Sequence, residues 1–115
     1  MIYQLYYKHY FIATVEHTYS DFPGLSGYYQ LADFGESNRD TKMIREYINH
    51  SIQSSKYYLD NEAHNKRAAE LAQDEWKYQE LYEGREWQLK AEHGEIVPIL
   101  IPVFGENQEM GWRCA

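Results

Sequence analysis

Residues 2–19, IYQLYYKHYFIATVEHTY, alternate along the chain. Tyr3, Leu5, Tyr7, His9, Phe11, Ala13 and Val15 form a mostly apolar set, and Gln4, Tyr6, Lys8, Tyr10, Thr14 and Glu16 a mixed to polar one. That is the period of a half-buried strand. No Gly, Pro or Asn marks a turn near Lys8-His9, so the pattern predicts one long, bent strand. The segment SDFPGLSG (20–27) supplies a loop, and YYQLADF (28–34) a second strand antiparallel to the first.

The period then changes. Ile44, Tyr47, Ile48 and Ile52 share one stripe of a helix that starts near Thr41, with Asp40 as its expected N-cap, and runs to about Tyr58. Asp60 or Asn61 offers the next cap, and a long polar helix is expected over 62–93. Glu62–Lys66 and Glu86–Lys90 are favourable i, i+4 pairs along it, and Lys90, His93 and Gly94 form a stop signal. EIVPILIPVF (95–104) reads as a strand. Pro98 and Pro102 lie four apart, so both missing donors fall on the same side, which predicts an edge strand with that side unpaired. The pattern implies one α+β domain: 1–34 β-rich, 40–93 two helices, 95–104 an edge strand, 105–115 a polar tail. Its elements run ββααβ, with a small antiparallel sheet and two helices packed on one face, the second helix long.

Two tryptophans stand out on that second helix. An eleven-residue separation returns to within about 20° of the same direction, which puts Trp76 and Trp87 on one face about 16 Å apart. Ala69 and Ala72 share that face, while Leu71, Tyr78, Tyr82 and Leu89 line the opposite side. Such a helix buries both stripes or keeps one as a contact surface. Gly84 lies between the tryptophans as a weak point.

Composition sharpens this picture. With 115 residues the chain fits one core. Twelve tyrosines favour half-buried positions and interfaces, since the ring is apolar and the hydroxyl wants a partner. Net charge is −7, and residues 60–95 hold ten Asp/Glu against five Lys/Arg. No basic footprint for nucleic acid exists, and the acidic helix suits a basic partner. The first residues do not resemble a signal peptide, and no apolar run is long enough to span a membrane, so a cytoplasmic protein is expected.

Motifs for chemistry are absent. His9, His17, His50, His64 and His93 are scattered, with neither a His-Glu-x-x-His motif nor a cysteine pair, so no metal and no cofactor are expected. Ser26 in GLSG lacks the strand–Ser–helix register of a nucleophile elbow, and Cys114 has no nearby base. The reading that follows is a non-enzymatic protein-interaction module that occludes or bridges a partner. It is compatible with a small inhibitor or accessory protein of phage or mobile-element type, able to form a homodimer or higher oligomer. Trp76, Tyr78, Tyr82 and Trp87 are its expected partner-binding anchors. The alternative is a binder of a small anionic ligand such as a nucleotide, using residues 22–45: Tyr28 and Tyr29 stack, while Arg39, Lys42 and Arg45 hold the anion near a helix start. A third reading is an enzyme whose active site is assembled from distant positions.

Overall fold

The structure, a computed structural model, describes residues 2–21, 24–35, 37–56 and 75–115. The strands are β1 (Ile2–Tyr7), β2 (Tyr10–Asp21), β3 (Gly24–Leu31), β4 (Trp87–Ala91), β5 (Ile96–Pro98), β6 (Val103–Phe104) and β7 (Glu109–Arg113). Helix α1 spans Arg39–Lys56; a 3-10 turn, Glu75–Tyr78, leads into the short helix α2, Gln79–Glu83. All strand pairings are antiparallel, in the order β5-β4-β1-β2-β3-β7-β6.

This overturns the ββααβ expectation, with its small sheet and long second helix. The sheet dominates, 87–91 is a strand, and the only helix of that region among the described residues is α2. Trp87, Leu89 and Ala91 point inward at period two, while Gln88 and Lys90 are less buried or exposed. The pairs Tyr7–Trp87, Leu5–Leu89 and Tyr3–Ala91 hold β4 against β1. Burial of alternate large side chains outweighs the weak helical preference of Glu86–Lys90. Gly94 does take a left-handed conformation, φ 94°, but in the turn after β4. The proposed cap at Asp60 or Asn61, the Glu62–Lys66 pair, and Ala69, Leu71 and Ala72 lie outside the described residues.

The expected single N-terminal strand is a hairpin. Lys8 and His9 form a two-residue turn, and Lys8 adopts φ 54°. Its amide donates to the Glu86 carbonyl at 3.0 Å, and its ammonium reaches the Asp40 carboxylate at 3.2 Å. Those contacts hold a backbone conformation that glycine or asparagine would adopt more readily. Residues 105–115, read as a tail, contain β7, whose Met110 and Trp112 enter the core.

The two ends of the strand order, β5 and β6, belong to one continuous segment, 96–104. The ladder therefore curls round and meets itself. Ile99 pairs with Cys114, the Leu100 amide donates to the Arg113 carbonyl at 2.9 Å, and the Ala115 amide to the Pro98 carbonyl at 3.1 Å. Beyond the break, Val103 pairs with Gly111 and Phe104 with Met110. Residues 100–102 thus face 112–113, a bulge of one residue at the seam of a closed barrel. The segment is not a free edge: Pro98 offers its carbonyl to β7's continuation, and buried Pro102 gives its carbonyl to the Tyr47 hydroxyl at 2.7 Å.

Leu5, Tyr7, Ile12, Val15, Leu89 and Ile99 fill the interior, each at most 2% exposed. The helices close the end where β1 finishes and β4 begins. Asn38, not Asp40, caps α1: its Oδ1 accepts the Thr41 amide at 3.0 Å, and Thr41 Oγ1 accepts the Asn38 amide in return. Ile44, Tyr47 and Ile48 then face the barrel, on the stripe predicted for them.

Ser51 completes the contact. Its Oγ accepts the Phe104 amide at 2.8 Å and donates to the Phe104 carbonyl at 2.9 Å, covering the outward side of β6 as a neighbouring strand would. Ser51→Ala is expected to leave that buried amide unpaired and to cost about 1–3 kcal/mol, read as a lower urea midpoint with an unchanged slope.

Candidate partner-binding surface

The cap over the helical end carries the most exposed large aromatic side chain among the described residues. Leu81 is 1% exposed and Tyr78 7%. Tyr78 lies 5.6 Å from the Tyr47 ring and 5.2 Å from His50, so these contacts root the cap in α1. Arg39 of α1 pairs with Glu80 at 2.9 Å, tying the two from outside. With three residues per 3-10 turn, a residue two positions before Tyr78 points about 120° away from it. Trp76 occupies that position and is 70% exposed. Tyr82, one α-helical turn after Tyr78, touches Tyr47 at 6.1 Å with its ring edge and leaves 43% of its surface in water.

Exposed Glu80, Glu83 and Glu86 lie on the same stretch of chain as these two aromatics, with Lys77 and Arg85 as its cations. Along the chain, acidic residues flank the two exposed aromatics.

Of the four expected anchors, Trp76 and Tyr82 reach the surface, and Tyr78 and Trp87 do not. Trp87 is inside the barrel at 1% exposure, its ring tilted against that of Tyr7 with centroids 5.0 Å apart, and its indole N–H donates to the Leu81 carbonyl at 3.1 Å. The shared helical face of Trp76 and Trp87 does not exist, because the chain between them leaves α2 at Gly84 and turns through Arg85, φ 51°.

The five residues of the anion reading are not brought to one place. Tyr29 packs in the core 5.1 Å from Phe104, whereas Tyr28 faces outward, across the ladder from Glu16 and Glu109. Arg39 is engaged by Glu80. Arg45 lies 4.5 Å over the Phe34 ring and donates through Nε to the Gly35 carbonyl at 3.1 Å. Lys42 is exposed on α1.

Sequence reasoning passed over His50. It is 8% exposed, and its Nε2 has no hydrogen-bond partner among the described residues. It lines a small cavity of about 90 Å³ with Tyr47, Ser51, Ser54, Ser55 and Tyr82. Its place, i+3 from Tyr47 on the apolar stripe of α1, was the available signal.

Titration shifts fall on structural groups. Burial raises the phenol of Tyr29, and it raises that of Tyr7 against an opposing effect from Lys8. The hydrogen bond to Asp40 raises the Lys8 ammonium. All three belong to the barrel wall and its first hairpin, where a raised phenol simply stays protonated. Among the described residues no group of three His, Cys, Asp or Glu side chains is placed to hold a metal ion, and no helix is long and apolar enough to cross a membrane. Comparison of this chain with protein-family models, curated proteins and solved structures finds no match.

Proposed function

We propose that this protein is a non-enzymatic protein-interaction module whose cap surface engages a partner with an apolar pocket ringed by basic residues. The observation that carries the reading is the exposure of Trp76, 70%, on a cap whose other large side chains are anchored. Tryptophan is the side chain most enriched where interfaces concentrate their binding energy, and solvating it forgoes a large burial gain. The flanking acidic residues support a basic partner and a fast, salt-sensitive encounter. Binding there would occlude or bridge that partner, as a small inhibitor or accessory protein does, and a second copy of the chain is one form the partner can take.

Trp76→Ala tests this. The side chain makes little contact with its own fold, so the melting temperature should stay within a degree or two. Affinity for a partner isolated with the wild-type chain should fall about 30-fold or more, the loss of a 2 kcal/mol anchor. A variant that binds the partner as well as the wild type refutes the cap as the interface. Light scattering over a concentration series, run in parallel, tells self-association from binding of a different chain.

A further inference from the structure

The seam leaves a groove on the outer wall of the barrel. Where residues 100–102 bulge away from β7, a cavity of about 450 Å³ opens between the two chains. Leu100, Ile101 and Val103 form one side, and Leu25 and Trp112 the other. Gly24 and Gly111 carry no side chain to fill the space between. Leu100 and Val103 are 47% and 55% exposed, so large aliphatic surface stands in water along the rim.

Arg113 is, among the described residues, the one charged residue lining this groove. Among the described residues its guanidinium has no carboxylate partner, in a chain with 18 acidic residues against 11 basic ones. Past Gly111 the groove continues into a second cavity of about 250 Å³, where Glu109 is the charged group among the described residues. Glu109, Gly111 and Arg113 are alternate residues of β7, facing the same way. The rise of a strand separates the two charges by about 13 Å. The groove thus has a cationic end, an apolar middle and an anionic end.

We infer that the seam groove binds a small amphipathic anion: an apolar body lying against Leu25, Leu100 and Val103, with a single carboxylate, sulfonate or phosphate on Arg113. The volume falls in the range of small-molecule sites, about 300–1,000 Å³. A stable protein interface needs about 800 Å² from each side, more than the eight residues lining the groove present. Arg113 offers two parallel N–H donors to an oxyanion, a geometry that neither a neutral nor a cationic head group can use. Glu109 repels an anion at the far end, which sets one orientation and limits the length of the body. None of these residues belongs to the cap surface, so the site stands or falls independently of the partner-binding reading.

The experiment is a titration of the full 15N-labelled chain with decanoate, decanol and decyltrimethylammonium, each below its micelle concentration, followed by amide chemical shifts. Decanoate should shift the amides of Gly24, Gly111 and Arg113 saturably. Decanol should bind at least about tenfold more weakly, and the ammonium more weakly still. Arg113→Gln should bring decanoate to the level of decanol with the melting temperature unchanged. Gly111→Val should abolish binding of all three. A Cβ at Gly111 meets only the Leu25 carbonyl oxygen at 3.5 Å, an ordinary contact, so the fold should accept it. Equal affinities for decanoate and decanol overturn the inference. So do saturable shifts confined to other surfaces, no saturation at millimolar decanoate, or an Arg113→Gln variant that binds decanoate as the wild type does; should Gly111→Val fail to fold, Arg113→Gln alone decides.

Discussion

Gly27→Ala should unfold this protein or bring it close to unfolding, although it adds one methyl group. Gly27 sits in β3 opposite His17, just where β2 shifts register before Tyr19. The shift carries the β2 backbone across the space a side chain would need. A Cβ built on Gly27 would lie 2.0 Å from the Glu16 carbonyl oxygen and 2.8 Å from its carbonyl carbon. Both are main-chain atoms, so no rotamer change relieves the clash; the two strands must part or the bulge must move. Loss of register across the longest ladder of the barrel is a core failure, and the expected cost exceeds about 4 kcal/mol. Chemical denaturation measures it, and far-UV circular dichroism shows whether any folded population remains. A variant within 1 kcal/mol of the wild type would mean that the close approach of β2 and β3 is not a feature of the folded state.

Trp87→Ala carries the second large effect, and it separates Trp87 sharply from Trp76. Removing a fully buried tryptophan costs about 3–5 kcal/mol through lost transfer energy and the cavity left behind. Here the cavity would open between Tyr7 and Leu81, the point where the cap meets the barrel. The Leu81 carbonyl would also lose its indole donor. Trp87→Phe, which keeps ring volume but removes the N–H, should lose a minority of that stability. The signature is therefore a large loss for Trp87→Ala, an intermediate one for Trp87→Phe and almost none for Trp76→Ala, all read from thermal or urea melts.

The reason those two tryptophans looked equivalent is physical. Read alone, residues 74–90 are rich in good helix formers, and eleven residues is just over three full helical turns. The alternation of Trp87, Leu89 and Ala91 was present, but only three inward positions long. What decides it is β1, eighty or more residues away, whose Leu5 and Tyr7 give those side chains something to pack against. No local window contains that partner.

The hidden N-terminal hairpin has a different cause. A two-residue turn places Tyr7 and Tyr10 on the same face, which reverses the odd–even phase. Between Leu5 and Tyr6 the pairing slips by one, so that Ile12 and Ala13 are both buried and the phase reverses again. The two reversals cancel. Odd positions face the interior at Leu5 and Tyr7 and again at Ala13 and Val15, so the apolar pattern runs through the turn as if it were absent. Helix α1 was legible by contrast, because Ile44, Tyr47 and Ile48 signal their face within one window. Of the cap surface, Trp76 and Tyr82 could be named but not placed. Nothing in the residues said that Tyr78 would anchor the surface on which they stand. The groove could not be foreseen, since it depends on 100–102 meeting 112–113 across a closure that only the whole fold defines.

That closure also orders events in time. The β1–β2–β3 meander forms from neighbouring segments, but Tyr3 finds Ala91 across 88 residues and Gly24 finds Arg113 across 89. Contacts of that span form slowly, because loop entropy is spent before they return anything. Until segment 96–104 is in place, β4 and β7 each present a bare row of amides and carbonyls, and a chain caught at that stage is the form most prone to pair with its own copies.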